Sequence, residues 1–441
     1  MNLTTKIKSI YLNKEPLTDK DMEMSRKISI FEGCTARTAF TLTSGAFLVG
    51  FAKYLGASDQ IAGIIAAIPI LSGIIMAFSP IILERIENRK PIISLFCLIG
   101  RLLLGSMILI PFMNISVQMK IVMLMIIFFV ANLFTSFPLP AALAWIQSVT
   151  PEGIRGSYFG KRESIVLGVA TIITLLIGQI LDRFEQIGQQ FNGFAVLYIL
   201  VIIAAVANFI LFSYMKEPKE IVTDVHLTLK KVLTMPLKNK RFMRVALLLM
   251  IWNFGFQLGF PFTSVYMVST LNLRYGLITL MAVLASIISV VSVRFWGRVA
   301  DRKSWLYLMK LMVILQILSF FVWFLINKYT VLALLPVAHI FSGAALSGIN
   351  ISGFNLQYIY SPKENKTIYL GFSAAISGIF GFGGTIVGSY LMKAAEKYSI
   401  SILGFKIGNL QLLFLLSGII LLGCIWYVRY IVQNLDNTEK E

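Results

Sequence analysis

Twelve apolar runs, each long enough to cross a bilayer as a helix, alternate with short charged or turn-forming stretches along this 441-residue chain. About 20 apolar residues in helical form match the ~30 Å hydrocarbon core of a membrane. No water reaches that core, so the backbone of each run must satisfy its own hydrogen bonds, which leaves helices as the spanning element. The runs cover residues 28–52, 60–83, 91–112, 117–149, 164–181 and 193–215, then 245–271, 276–296, 305–326, 331–360, 368–391 and 410–431. Composition agrees: 57% of residues are hydrophobic and 14% charged, with a mean hydropathy of +0.80, far from the roughly 25% charged residues of a soluble domain. The expected fold is therefore an all-α polytopic membrane protein of twelve transmembrane helices.

Charge placement orients the runs. Of the 39 Lys and Arg, 29 fall on one set of alternate loops and tails and 8 on the other, while Arg37 and Arg101 lie within runs. Basic residues gather in cytoplasmic loops, so both termini are expected in the cytoplasm. The resulting organisation is a cytoplasmic tail at 1–27, a six-helix half at 28–215, a cytoplasmic linker at 216–244, a second six-helix half at 245–431 and a tail at 432–441. A net charge of +18 on scattered short loops provides no basic face for nucleic acid. The first 27 residues carry six Lys or Arg before any long apolar run, so no cleavable signal is expected. Cys34, Cys97 and Cys424 all sit in apolar runs and form neither a disulfide framework nor a metal pair.

The halves repeat. Glu84-Arg85 after the second run recurs as Asp301-Arg302 after the eighth, 217 residues on, and the Pro, base, Tyr and Gly of Pro151, Arg155, Tyr158 and Gly160 recur as Pro362, Lys366, Tyr369 and Gly371, 211 residues on. Parallel repetition at half the chain length is a transporter architecture. The segment Gly297-x-x-x-Asp301-Arg302-x-Ser304 resembles the cytoplasmic signature of the major facilitator superfamily, and Pro151 to Gly156 resembles that family's loop between spans 4 and 5. The first copy, Pro80-x-x-x-Glu84-Arg85-x-Glu87, departs from the signature with Pro80 and Glu87 in place of glycines and Glu84 in place of Asp.

The resemblance implies a secondary active transporter in the cell (cytoplasmic) membrane, carrying a small organic solute by alternating access, proton-coupled, with efflux favoured over uptake although span 5 lacks the Gly-Pro step of the family's antiporters. It implies a gating role for Gly297, Asp301, Arg302, Glu84 and Arg85, and a cavity lined by spans 1, 4, 7 and 10. The substrate-binding candidates on those spans are Arg37, Thr38, Thr41, Asn132, Gln147, Asn253, Gln257, His339 and Asn350. Their bland alternative is hydrogen bonding between helices. Expected partners are an anionic or amphipathic small molecule, a proton and membrane lipid, with the protein acting as a monomer.

Charges inside a run cost about 2.5–3.5 kcal/mol each on insertion scales, so each needs a partner or a wet cavity. Glu32 is the only acid well inside any run, and Arg37 lies about 140° around the helix from it, so Arg101 or a group from another helix is the expected counter-charge. Either the pair is structural, or Glu32 and, second to it, His339 handle the proton. The glycines at 378, 381, 384 and 388 mark one face of span 11 for close packing. Neither a phosphate loop nor a His-Glu-x-x-His or Gly-x-Ser-x-Gly motif occurs, so no cofactor, catalytic residue or metal site is expected. The competing classes are a membrane-embedded transferase and a non-transporting receptor.

Overall fold

The computed structural model describes residues 17–83, 86, 88–218, 229–362, 366–395, 400–402 and 405–436. Its helices are α1 (Asp19–Leu42), α2 (Gly45–Tyr54), α3 (Asp59–Ser72), α4 (Ser79–Leu83), α5 (Lys90–Ser106), α6 (Val117–Ser136), α7 (Leu139–Ser148), α8 (Arg155–Gln186), α9 (Gln190–Tyr214), α10 (Leu229–Lys238), α11 (Lys240–Val265), α12 (Tyr275–Arg302), α13 (Trp305–Leu325), α14 (Val331–Tyr360), α15 (Lys366–Ala395) and α16 (Asn409–Asp436). A two-residue-linked antiparallel pair, β1 (Ile400–Ile402) and β2 (Phe405–Ile407), stands where a plain loop is expected, with Ile400 opposite Ile407.

Among the described residues eleven helical stretches are long and apolar enough to cross a membrane, which makes this a multi-pass membrane protein. The expected first span, 28–52, is not one of the eleven. It is built as α1 and α2, split at Thr43 and Ser44, where the Thr43 hydroxyl donates to the Ala39 carbonyl at 2.7 Å and Gly45 takes a positive φ of 55°. That left-handed geometry favours glycine. The charged residues of α1 lower its mean hydropathy further. The run at 117–149 also divides, into α6 and α7, because Pro138 and Pro140 cannot donate to a continuing helix.

At its start α1 is closed by a reciprocal cap, with the Asp21 amide donating to the Thr18 hydroxyl and the Thr18 amide donating to the Asp21 carboxylate. Lys216 lies 2.8 Å from the same carboxylate and, with Thr18, holds its pKa down at about 2. Asp21 therefore stays ionised throughout the physiological pH range.

The chain forms two compact units. The first comprises the described residues of 1–56 and 72–228, the second those of 57–71 and 229–441; residues 57–71, read as part of the N-terminal half, thus group with the second unit. In the first unit α9 packs against both α1 and α5, and α1 also packs against α8. Tyr198, Val201 and Phe212 of α9 are buried in that core, and the ring of Phe51 meets Tyr198 edge-on at 4.8 Å. The end of α9 is pinned as well: the Trp145 indole donates to the Lys216 carbonyl at 3.0 Å and stacks on Phe212 at 5.8 Å.

In the second unit α11 packs on α15 and α16, α13 on α14 and α16, and α12 on α14. The Gln60 amide donates to the Ser389 hydroxyl at 3.3 Å and draws α3 into this unit. A methyl added at Gly384 would lie 2.3 Å from the Phe254 carbonyl oxygen, and one at Gly388 2.3 Å from that of Leu258. The glycine face of α15 therefore touches the backbone of α11 directly.

Candidate functional site

Four helices of the first unit converge on Glu32. The α1 backbone places its side chain on the buried face, where it is 7% exposed, and Arg162 of α8, 9% exposed, approaches to 3.2 Å from Nη2 to Oε2. Gly33 makes room for this approach, since a β-carbon there would sit 2.8 Å from the same Nη2. The other Arg162 nitrogens are also engaged: Nε donates to the Ser29 carbonyl at 3.3 Å and Nη1 to the Glu163 carboxylate at 2.6 Å.

Asn208 of α9, fully buried, closes the other side. Its amide nitrogen donates to Glu32 Oε1 at 3.2 Å, to the Glu32 carbonyl at 3.1 Å and to the Thr35 hydroxyl at 3.0 Å, while its oxygen accepts from Arg101 of α5 at 2.5 Å. Arg101 thus reaches Glu32 through an amide, and the direct ion partner is Arg162. Tyr158 hydrogen bonds with the Ser29 hydroxyl and donates to the Arg26 carbonyl at 3.0 Å. Two arginines and one carboxylate share this buried volume, with Glu163 at its exposed rim, so a net positive charge is held inside and spread by hydrogen bonds.

The remaining candidates are dispersed. Arg37 is exposed, on a different face of α1 from Glu32, and the Thr41 hydroxyl donates back to its carbonyl at 2.8 Å. Thr38 is buried with its hydroxyl unbonded. The Asn132 amide donates to the Phe128 carbonyl of its own helix at 2.8 Å, and Gln147 is exposed. In the second unit the Asn253 amide donates to the Leu249 carbonyl at 2.8 Å, Gln257 is buried with an unbonded carbonyl oxygen, and Asn350 is exposed. His339 donates from Nδ1 to the Leu335 carbonyl at 2.9 Å and lies 5.5 Å from the Trp323 ring. Among the described residues no group of three metal-ligating side chains occurs.

The sequence profile of the Major Facilitator Superfamily matches residues 33–385. The chain belongs to that superfamily. Solved superfamily structures share the fold at low identity. A mutant form of the nucleoside transporter NupG is 14% identical, with a TM-score of 0.69 over 93% of this chain and 99% of that one. A D-xylose-proton symporter is 13% identical, with a TM-score of 0.64 over 93% and 96%. An auto-inhibited POT family peptide transporter is 11% identical, with a TM-score of 0.68 over 92% and 96%. No curated protein sequence matches significantly.

Gly297, Asp301 and Arg302, which resemble the superfamily signature, lie in the last turns of α12 itself. Asp301 and Arg302 are exposed, and a β-carbon on Gly297 would meet nothing within 4 Å. Glu84 and Arg85 lie outside the described residues. The side chains bonded to Glu32 that the sequence reading passed over are Arg162 and Asn208. Arg162 reads as one of three cytoplasmic loop cations, yet α8 begins at Arg155, nine residues before the apolar run, and carries it into the buried interface. Asn208 is the lone amide in the run Val196 to Phe212, and that isolation is the signal that could have found it.

Proposed function

We propose that this superfamily member is a secondary active transporter of a small organic anion or amphipathic solute, coupled to protons and working by alternating access in the cell membrane, with efflux favoured. The observation that carries the coupling is the buried Glu32–Arg162 pair: a carboxyl enclosed by two arginines and an amide can exchange its charge for a proton only when a partner moves, which links protonation to conformation. The solute preference rests on the two arginines, Arg101 and Arg162, that share the buried cluster with Glu32, together with the exposed Arg37. In this reading Asp301 and Arg302 latch the cytoplasmic side in another state, and both ends of a twelve-span chain lie in the cytoplasm.

The test is flux. A thermal-shift screen of small carboxylates, nucleosides, sugars and peptides identifies a stabilising solute, because a ligand that binds the folded state raises its melting temperature. In proteoliposomes an imposed pH gradient then drives accumulation of that solute, and Glu32→Gln abolishes this accumulation while leaving solute exchange in place. Binding without any solute crossing the membrane would convert the assignment to a receptor. Topology has its own check. Both Lys161 and Lys328 are exposed, and the native thiols are buried, so Lys161→Cys should react with an impermeant maleimide only from the cytoplasm and Lys328→Cys only from outside. The reverse pattern for either would end the twelve-span reading.

A further inference from the structure

Arg162 stands between two carboxylates of opposite accessibility. Nη2 holds Glu32, 7% exposed, at 3.2 Å, while Nη1 holds Glu163, 63% exposed, at 2.6 Å. If Glu32 takes up a proton, the buried guanidinium loses its inner counter-charge, and an unpaired buried cation is strongly disfavoured. Glu163 removes that obstacle. It is the next residue on α8, so it travels with Arg162 and is placed to keep the guanidinium bonded when the inner pair opens.

We propose that Arg162 is a two-position switch and that Glu163 is the positioning residue that makes Glu32 protonatable. This rests on the proton-coupling reading above and assigns it a moving part. A proton from water adds to Oε2 of Glu32, the Nη2 to Oε2 ion pair opens, and the guanidinium keeps its charge on Glu163. One O–H bond of a hydronium ion breaks as the carboxyl O–H bond forms, and a water molecule leaves. Oε1 is the wrong oxygen for this proton, because Asn208 already donates to it and Arg101 fixes the Asn208 amide in that orientation. The titratable groups around the carboxyl are Arg162, Glu163 and Tyr158 from α8, Arg101 and Cys97 from α5, and Cys34 on α1 itself; α9 presents the uncharged Asn208, and α7 has no titratable residue. Gly33 keeps the passage beside Nη2 open, because any side chain there would occupy the guanidinium's path.

Infrared difference spectra of the full-length protein in nanodiscs, recorded as pH is lowered, read the protonated carboxyl directly, and the Glu32 band is the one missing in Glu32→Gln. In Glu163→Gln, Glu32 becomes the only carboxylate bonded to Arg162, and the band should need about tenfold more protons to reach half its height. Glu163→Asp should restore most of the original midpoint. Gly33→Ala, which pushes the guanidinium away from Glu32, should move the midpoint the other way. An unchanged midpoint in Glu163→Gln would overturn the switch, even if pH-driven accumulation is intact. Conversely, a shifted band in a protein that shows no pH-driven accumulation would keep the switch and dismiss the coupling.

Discussion

Arg162→Ala should destabilise the first unit by about 3–5 kcal/mol, the usual cost of leaving one member of a buried ion pair uncompensated. Glu32 would remain enclosed, with the Asn208 amide at one oxygen and nothing at the other. Three buried cysteines provide the readout, since Cys34, Cys97 and Cys424 become reactive to a thiol dye only on unfolding. The melting temperature should fall by on the order of 10 °C. The double variant Glu32→Leu/Arg162→Leu should recover most of that loss, because well-packed apolar side chains replace a buried pair at little cost, yet it should transport nothing against a pH gradient. A single variant that melts within roughly 2 °C of the unsubstituted protein would mean that the pair is solvated and would remove the basis for a coupling role.

The second large effect concerns neighbouring glycines of α15. Alanine is the better helix former by roughly 0.5–1 kcal/mol, so Gly383→Ala, where an added β-carbon meets nothing within 4 Å, should stabilise the protein slightly. One residue on, Gly384→Ala places the same methyl 2.3 Å from the Phe254 carbonyl oxygen, and backbone cannot give way as a side chain can. The expected cost is about 3 kcal/mol, at the upper end of overpacking penalties, with loss of monodisperse protein on size exclusion. Equal behaviour of the two variants would show that α11 and α15 are not in backbone contact.

These two sites mark what could be read from the chain and what could not. The apolar runs and the glycine spacing are local, periodic signals: eleven of the twelve runs recur as membrane-length helical stretches among the described residues, and Gly384 and Gly388 face α11. That Glu32 needs a counter-charge also follows from the sequence, because a carboxyl in an apolar run is costly wherever it lies. Which residue supplies it does not. Arg162 is 130 residues away, in a segment whose average hydropathy reads as loop, and only the packing of α8 on α1 shows that this one side chain of its mostly exposed first turns is buried. Asn208 differs: a lone amide in an apolar run marks itself, but its partners on α1 and α5 do not. The break at Thr43 and Ser44 likewise depends on a single glycine conformation that hydropathy does not register.

The contact between α11 and α15 also fixes their registration. Gly384 meets Phe254 and Gly388 meets Leu258, so the two helices touch at two points with a constant offset of 130 residues. Sliding one helix by a turn, about 5.4 Å, would bring Met392 opposite Leu258 in one direction and Phe380 opposite Phe254 in the other, and neither side chain fits where a methyl already clashes. The pair is therefore indexed to one setting. Whatever rearrangement the second unit undergoes, α11 and α15 travel through it together at these two contacts, as a single strut.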